Sequence, residues 1–224
     1  LLKANLMAWP VDIIAPSMPG FGTPLPEDFD CTKEAYAAWL IAQVEAVGEP
    51  VDLVGHDWGC MLVQRLVSQR PGLVRTWAAG SGPLDTAYVW HPTAQAWQTA
   101  GVGEQLMAAI MPDAITGAWV QQGIASDTAR EMALRFDDRM KSSILPLYRS
   151  ATGIAEDWAP LSAPVPPGLV LWGADDPYAG PEFGRRLAER TGAQITVFEG
   201  CGHWWPLQRA AETAELLEAH WTLA

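Results

Sequence analysis

Five short apolar runs, "VDIIA" (11–15), "VDLVG" (51–55), "VRTWAA" (74–79), "GLVLW" (168–172) and "QITVF" (194–198), alternate with helix-prone stretches near 32–47, 59–70, 181–191 and 208–220. Strand-length runs separated by helix-length stretches specify parallel strands joined by crossover helices. The pattern predicts an α/β fold with a mostly parallel sheet flanked by helices. With 224 residues, 49% of them apolar, the chain can bury one substantial core.

One interval breaks the alternation. From 86 to 163 the sequence is rich in Trp, Ala and Gln, is helix-prone and lacks strand signals, and turn-forming stretches flank it: "GSGPLD" (80–85) and "APLSAPVPPG" (159–168). A helical cap over 86–163 is therefore expected, inserted into a core made of 1–85 and 164–224. Of twelve tryptophans, Trp90, Trp97, Trp119 and Trp158 fall in or beside this insert. Core packing is the default role of such residues, and aromatic walls also suit small-molecule sites.

Fourteen basic against 26 acidic residues give a net charge of −12, which disfavours nucleic acid and anionic membranes as partners. No apolar run reaches the roughly 18 residues of a membrane span. The three cysteines, Cys31, Cys60 and Cys201, are an odd number without metal-ligand spacing, so reduced thiols in a cytoplasmic protein are expected.

In "GHDWG" (55–59), small residues stand two positions either side of Asp57, between a strand and a helix. A strand that turns abruptly into a helix crowds the backbone there, and glycines let the central side chain stand clear at the strand's carboxyl end. This is the geometry of a nucleophile elbow with a carboxylate at its apex. A carboxylate can attack carbon and form an ester, after which a histidine held by an acid must activate water. Such partners follow the next strand-like runs: Asp175 and Asp176 in "GADDP" (173–177), and His203 in "EGCGHWWP" (199–206). Nucleophile, acid and histidine thus succeed one another in chain order on loops at one edge of a parallel sheet. His56, His220, Cys60 and Cys201 read as structural, and Asp175 as a turn residue.

The stretches "IIAPSMPGFG" (13–22), "VGHDWG" (54–59), "LVLWGADDP" (169–177) and "GCGHWWP" (200–206) resemble the α/β-hydrolase superfamily, in its Asp-nucleophile branch of epoxide hydrolases and haloalkane dehalogenases. The resemblance spans nearly the whole chain. It implies Asp57 as nucleophile, Asp176 as the acid that orients the base, because the family's acid directly precedes the proline, and His203 as the base. It implies for Trp58 a backbone N–H for the oxyanion and an indole N–H able to bind a leaving halide. No cofactor or metal is called for, only a small, mostly apolar organic substrate and water.

Epoxide opening creates an alkoxide, for which the family supplies cap phenols. "LPLYRSA" (145–151) resembles the stretch that carries one, making Tyr148 the ring-opening candidate. The place of the second family tyrosine falls near Thr93, with His91 and Trp97 close in sequence, and Tyr88 is a further pocket candidate. Related fluoroacetate dehalogenases place Arg after the nucleophile, where Trp58 stands here, so an uncharged substrate is expected. Epoxide hydrolysis to a diol is the first reading, haloalkane dehalogenation the second, and a non-catalytic ligand-binding hydrolase fold a third. The family's His-Gly loop and the strand before it have no counterpart in residues 1–10. Several tens more N-terminal residues in the natural chain are expected on that ground, with no continuous pairing of 11–15 onto 51–55.

Overall fold

A computed structural model describes residues 5–6 and 12–223. Four parallel strands form one sheet in the order β1 (Val51–His56), β2 (Val74–Gly80), β3 (Gly168–Gly173) and β4 (Gln194–Phe198). Each lies within a residue of a run expected from the sequence. The crossover after β1 is α2 (Trp58–Gln69), followed by a short 3-10 turn (Pro71–Leu73), and α1 (Lys33–Glu45) precedes β1. Between β2 and β3 the chain forms α3 (Pro92–Gln98), α4 (Val102–Ala109), α5 (Pro112–Gln121), α6 (Ser126–Arg135), α7 (Asp138–Ser150) and α8 (Ile154–Trp158). Helix α9 (Pro181–Thr191) joins β3 to β4, and α10 (Trp205–Gln208) and α11 (Ala210–Leu223) end the chain. No described helix is long and apolar enough to cross a membrane.

The fifth expected strand is a correction. Val11 lies outside the described residues, and 12–15 carry no strand. A strand needs a neighbour to hydrogen-bond, and an apolar run alone does not supply one. Ile13 instead packs against an apolar cluster, and Ile14 is 69% exposed. Strand β1 pairs with β2, no described strand lies on its other side, and Val54 is 37% exposed.

Among the described residues two compact units are present: those up to 13, with 39–88 and 155–223, form one, and 14–38 with 89–154 form the other. The expected insert therefore gives 89–154 to the second unit, while 86–88 and 155–163 belong with the sheet. The second unit recruits 14–38 through specific contacts. The Lys33 N–H donates to Ser150 Oγ at 2.8 Å and a Cβ on Gly20 would lie 2.1 Å from Ser143 Oγ, while within 14–38 the Tyr36 hydroxyl donates to the Pro19 carbonyl at 2.8 Å.

In the sheet unit, apolar side chains cover both faces. Trp77 and Trp172 are completely buried on one side with α2 and α9, and Trp205 and Leu171 on the other with α11. Two of these three indoles find an acceptor. Trp77 Nε1 donates to the Pro166 carbonyl at 3.0 Å and Trp172 Nε1 to the Ala179 carbonyl at 2.8 Å. Arg190 ties the chain segments that leave and re-enter this unit: its guanidinium meets Asp85 Oδ2 at 2.8 Å and the carbonyls of Leu84 and Leu161 at 3.4 Å each.

Gly80, at the carboxyl end of β2, tests how tightly the backbones pack. A Cβ there would lie 1.6 Å from the Leu171 carbonyl oxygen, whereas one on Gly72 meets nothing within 4 Å. Gly80→Ala is expected to lower the unfolding free energy by about 2–4 kcal/mol, and Gly72→Ala to leave it within about 1 kcal/mol, in urea denaturation monitored by circular dichroism.

Candidate active site

The parallel sheet sends each carboxyl end to the same edge, and the four loops that leave it deliver Asp57, Ser81, Asp176 and His203. All four belong to the sheet unit. The Asp57 N–H donates to the Gly80 carbonyl at 3.0 Å, continuing the β1–β2 ladder up to the elbow itself. There the backbone turns with φ 57° and ψ −122°, a conformation of order 1–3 kcal/mol above the ordinary one for a residue with a Cβ. Of the two flanking glycines, Gly55 makes room, since a Cβ there would lie 2.2 Å from the Gly59 carbonyl oxygen, whereas a Cβ on Gly59 would meet nothing within 4 Å. Gly82 is needed for the same reason, since its Cβ would lie 2.1 Å from the Asp57 carbonyl oxygen.

His203 Nδ1 and Asp176 Oδ2 are 3.0 Å apart, so the ring N–H donates to the carboxylate, and His203 Nε2 lies 3.9 Å from Asp57 Oδ1. Asp176 Oδ1 accepts the backbone N–H groups of Tyr178 at 3.0 Å and Ala179 at 3.3 Å. Burial would raise the Asp176 carboxyl, but the hydrogen bond and charge of His203, with the Tyr178 N–H, outweigh it and hold the group below its usual value. Asp57 goes the other way. Its side chain keeps 44% of its surface accessible yet is ringed by protein over a wider radius, and this loss of bulk water raises its carboxyl despite the opposing charge of His203 and the Trp58 backbone N–H. For His203, burial disfavours the imidazolium, but the Asp176 hydrogen bond and the two carboxylate charges win and raise its pKa.

The Trp58 N–H that favours the Asp57 carboxylate is the donor expected for an oxyanion, and the Trp58 indole is buried at the start of α2. Asp175, one residue before Asp176, donates its N–H to the Cys201 carbonyl at 2.9 Å and so serves the loop. Tyr88 belongs to the sheet unit, where its hydroxyl donates to the Tyr178 carbonyl at 3.3 Å and its ring meets Phe183 edge-on. The phenol is thus engaged with the acid loop. Cys60 and Cys201 are buried, with thiols pushed up to about 12 and about 11 by burial.

Tyr148, His91, Thr93 and Trp97 lie in the second unit. Tyr148 is buried with its ring edge-on to Trp97 at 4.8 Å and to Trp90 at 5.3 Å. Its neighbour Arg149 turns to Glu104, with both carboxylate oxygens at 2.8 Å, joining α7 to α4. His91 caps α3, its Nδ1 accepting the Ala94 N–H at 3.3 Å. Thr93 is exposed on the first turn of α3, which does not suit the wall of an enclosed pocket.

Sequence reasoning passed over two neighbours of His203 and one of Asp176. Tyr178 meets the His203 ring edge-on at 4.9 Å, and its position two residues after the acid in "DDPYAG" was the available signal. Trp204 packs on the other side at 5.1 Å. Ser81, with φ 60°, is buried with no partner for its hydroxyl at hydrogen-bonding distance among the described residues, yet lies near enough to Asp176 to favour its ionised form. Only the sheet order could have placed it there.

Residues 1–216 match the model of the alpha/beta hydrolase family. The chain belongs to that family. A 2-hydroxymuconate semialdehyde hydrolase of Pseudomonas sp. (strain CF600) is 25% identical over 92% of this chain and 74% of its own length. Among solved structures, an epoxide hydrolase from Vigna radiata superposes with a TM-score of 0.76 at 18% identity, covering 94% of this chain and 81% of its own. A haloalkane dehalogenase from Bradyrhizobium elkani USDA94 superposes with a TM-score of 0.74 at 21% identity, covering 100% and 87%. These likenesses establish an alpha/beta hydrolase fold.

The electrostatics of this alpha/beta hydrolase predict an NMR titration. His203 takes up its proton above the free-imidazole value of 6.5, so its midpoint in the wild type falls above pH 6.5. In Asp176→Asn, which removes the strongest influence holding the proton, the midpoint moves down.

Proposed function

We propose that the protein hydrolyses small, mostly apolar epoxides to diols through a covalent ester on Asp57. The supporting observation is a carboxylate, rather than a hydroxyl, on a strained elbow, with the imidazole of an Asp-held histidine 3.9 Å away. A serine nucleophile must give its proton to the histidine and needs a direct hydrogen bond to it. An ionised carboxylate has no proton to give. The histidine is then free to act on water, and a gap wider than a hydrogen bond suits a water set between base and ester.

In this reading an Asp57 oxygen attacks an epoxide carbon and the C–O bond of the ring breaks. The alkoxide takes a proton from the Tyr148 phenol, the role implied by resemblance. His203 then deprotonates a water that attacks the ester carbonyl carbon of Asp57. The developing oxyanion is stabilised by the Trp58 N–H, and Asp176 stabilises the imidazolium. Collapse breaks the ester bond, His203 returns its proton to the departing alkoxide, and the proton left on the Asp57 carboxyl passes through solvent to the Tyr148 phenolate. Epoxide and water are consumed and one diol is formed.

Haloalkane dehalogenation is the second reading, favoured by one observation. Trp97 Nε1 is buried with no acceptor among the described residues, a donor of the type a halide ion accepts. The semialdehyde hydrolase activity of the Pseudomonas relative is a third chemistry, less suited to a carboxylate at the elbow.

Trapping distinguishes these readings. His203→Gln incubated with an epoxide is expected to gain the mass of the whole epoxide, and Asp57→Asn in the same background to gain nothing. An alkyl adduct with bromide release from a bromoalkane, and no epoxide adduct, would establish the dehalogenase instead. Tyr148→Phe should slow ester formation from an epoxide by about 100-fold or more in rapid-quench measurements.

A further inference from the structure

His56, the last residue of β1, stands directly before the nucleophile, and its ring lies under the base loop rather than in the elbow. Its Nε2 is 2.8 Å from the His203 carbonyl oxygen. A carbonyl only accepts, so Nε2 carries the proton and donates it. The ring is held on several sides, 4.7 Å from the His203 ring, 5.3 Å from Trp205 and 5.8 Å from Trp204. Burial and the neighbouring His203 push its pKa down to about 3, so it remains a neutral donor throughout the working range of a hydrolase.

The base loop has other attachments, and they run elsewhere. The Asp175 N–H to the Cys201 carbonyl, at 2.9 Å, joins it to the acid loop. Gln208 Oε1 accepts the Gly202 N–H and the Cys201 thiol, each at 3.2 Å, joining it to α10. A Cβ on Gly173 would lie 2.1 Å from the Gly202 carbonyl oxygen, so the end of β3 also supports it. These contacts fix His203 relative to Asp176. None of them fixes it relative to Asp57, which sits at the end of a different strand.

We propose that His56 is a positioning residue: by donating Nε2–H to the His203 carbonyl, it fastens the base loop to the nucleophile's own strand and sets the distance between base and ester. The reason to use a histidine is reach combined with neutrality. A lysine or arginine would bring a permanent charge beside a base that must cycle through the imidazolium, and a hydroxyl at the end of β1 would be too short. Because the tether acts on the base and leaves the elbow backbone alone, its loss separates the two chemical steps.

This inference rests on the ester mechanism for its kinetic consequence, but its structural content is testable without turnover. The His203 Nδ1–H, hydrogen-bonded to Asp176 at 3.0 Å, should give a low-field proton resonance. In His56→Phe, which keeps a ring against Trp204 and Trp205 but cannot donate, the resonance is expected to be lost to exchange. In His56→Gln, whose amide can donate, it should persist. In rapid quench with an epoxide, His56→Phe should form the ester within about threefold of the wild-type rate and hydrolyse it about 10- to 100-fold more slowly, with His56→Gln recovering most of the loss. An unchanged resonance in His56→Phe would overturn the proposal. So would loss of the resonance in both variants with an equal fall in melting temperature, which would leave His56 a packing role alone. If the wild type forms no ester on Asp57, the ester mechanism fails, while the resonance still decides whether the tether exists.

Discussion

The parallel hydrogen-bonded ladder is the constraint on which the site depends. Because β1 to β4 all run the same way and pair in register, from His56 beside Gly80 to Gly173 beside Phe198, their loops must open at one edge. Residues 57, 81, 176 and 203 are distant in sequence and become neighbours for that reason alone. The ladder leaves little freedom at its carboxyl end. Glycines stand where β2 meets β3, where the loop after β2 passes the elbow, and where β3 supports the base loop, and each occupies a point at which a Cβ would overlap a carbonyl oxygen. A backbone packed that closely can hold a strained Asp57, because relaxing φ would require moving its neighbours.

Two aspartates of identical intrinsic acidity are driven apart by that setting. Asp176 is covered completely but accepts two backbone N–H groups and the His203 ring, so its charge is stabilised. Asp57 is more open and less well supplied with donors, so its charge is the costlier of the two. The two carboxylates thus differ in how well their charge is supported, a division made by hydrogen bonds rather than by residue type. His203 stands between them and is held more basic than a free imidazole by both.

Much of this arrangement was legible in the sequence. The four strands and the helices flanking them followed from apolar runs and their spacing, because a buried parallel strand must be apolar on both faces and short. The elbow was legible because glycines flank Asp57, although crowding requires one only at Gly55, a Cβ on Gly59 meeting nothing within 4 Å. The run at 11–15 misled for a physical reason: apolar composition reports burial, and Ile13 is in contact with the core, but a strand also needs a partner edge, which composition does not encode. The connections of 14–38 to α7 were hidden as well, since a Lys33 N–H on a Ser150 hydroxyl leaves no periodic trace. Tyr88 was read as a pocket residue because it sits at the hinge, yet Phe183 and the Tyr178 carbonyl claim it.

The sequence by itself determined which chemistry is available: a carboxylate on a glycine-flanked corner, then an acid, then a histidine, each after a strand. Those are local facts, dictated by residue type and by sterics over a few positions. Tertiary structure decided how the groups act on one another. The 3.0 Å bond from His203 to Asp176, the 3.9 Å gap to Asp57, the opposite shifts of the two aspartates and the support of His203 by His56 all arise between strands remote in the chain. Distances of that kind are set by packing and backbone registry across the sheet, which no short stretch of sequence contains.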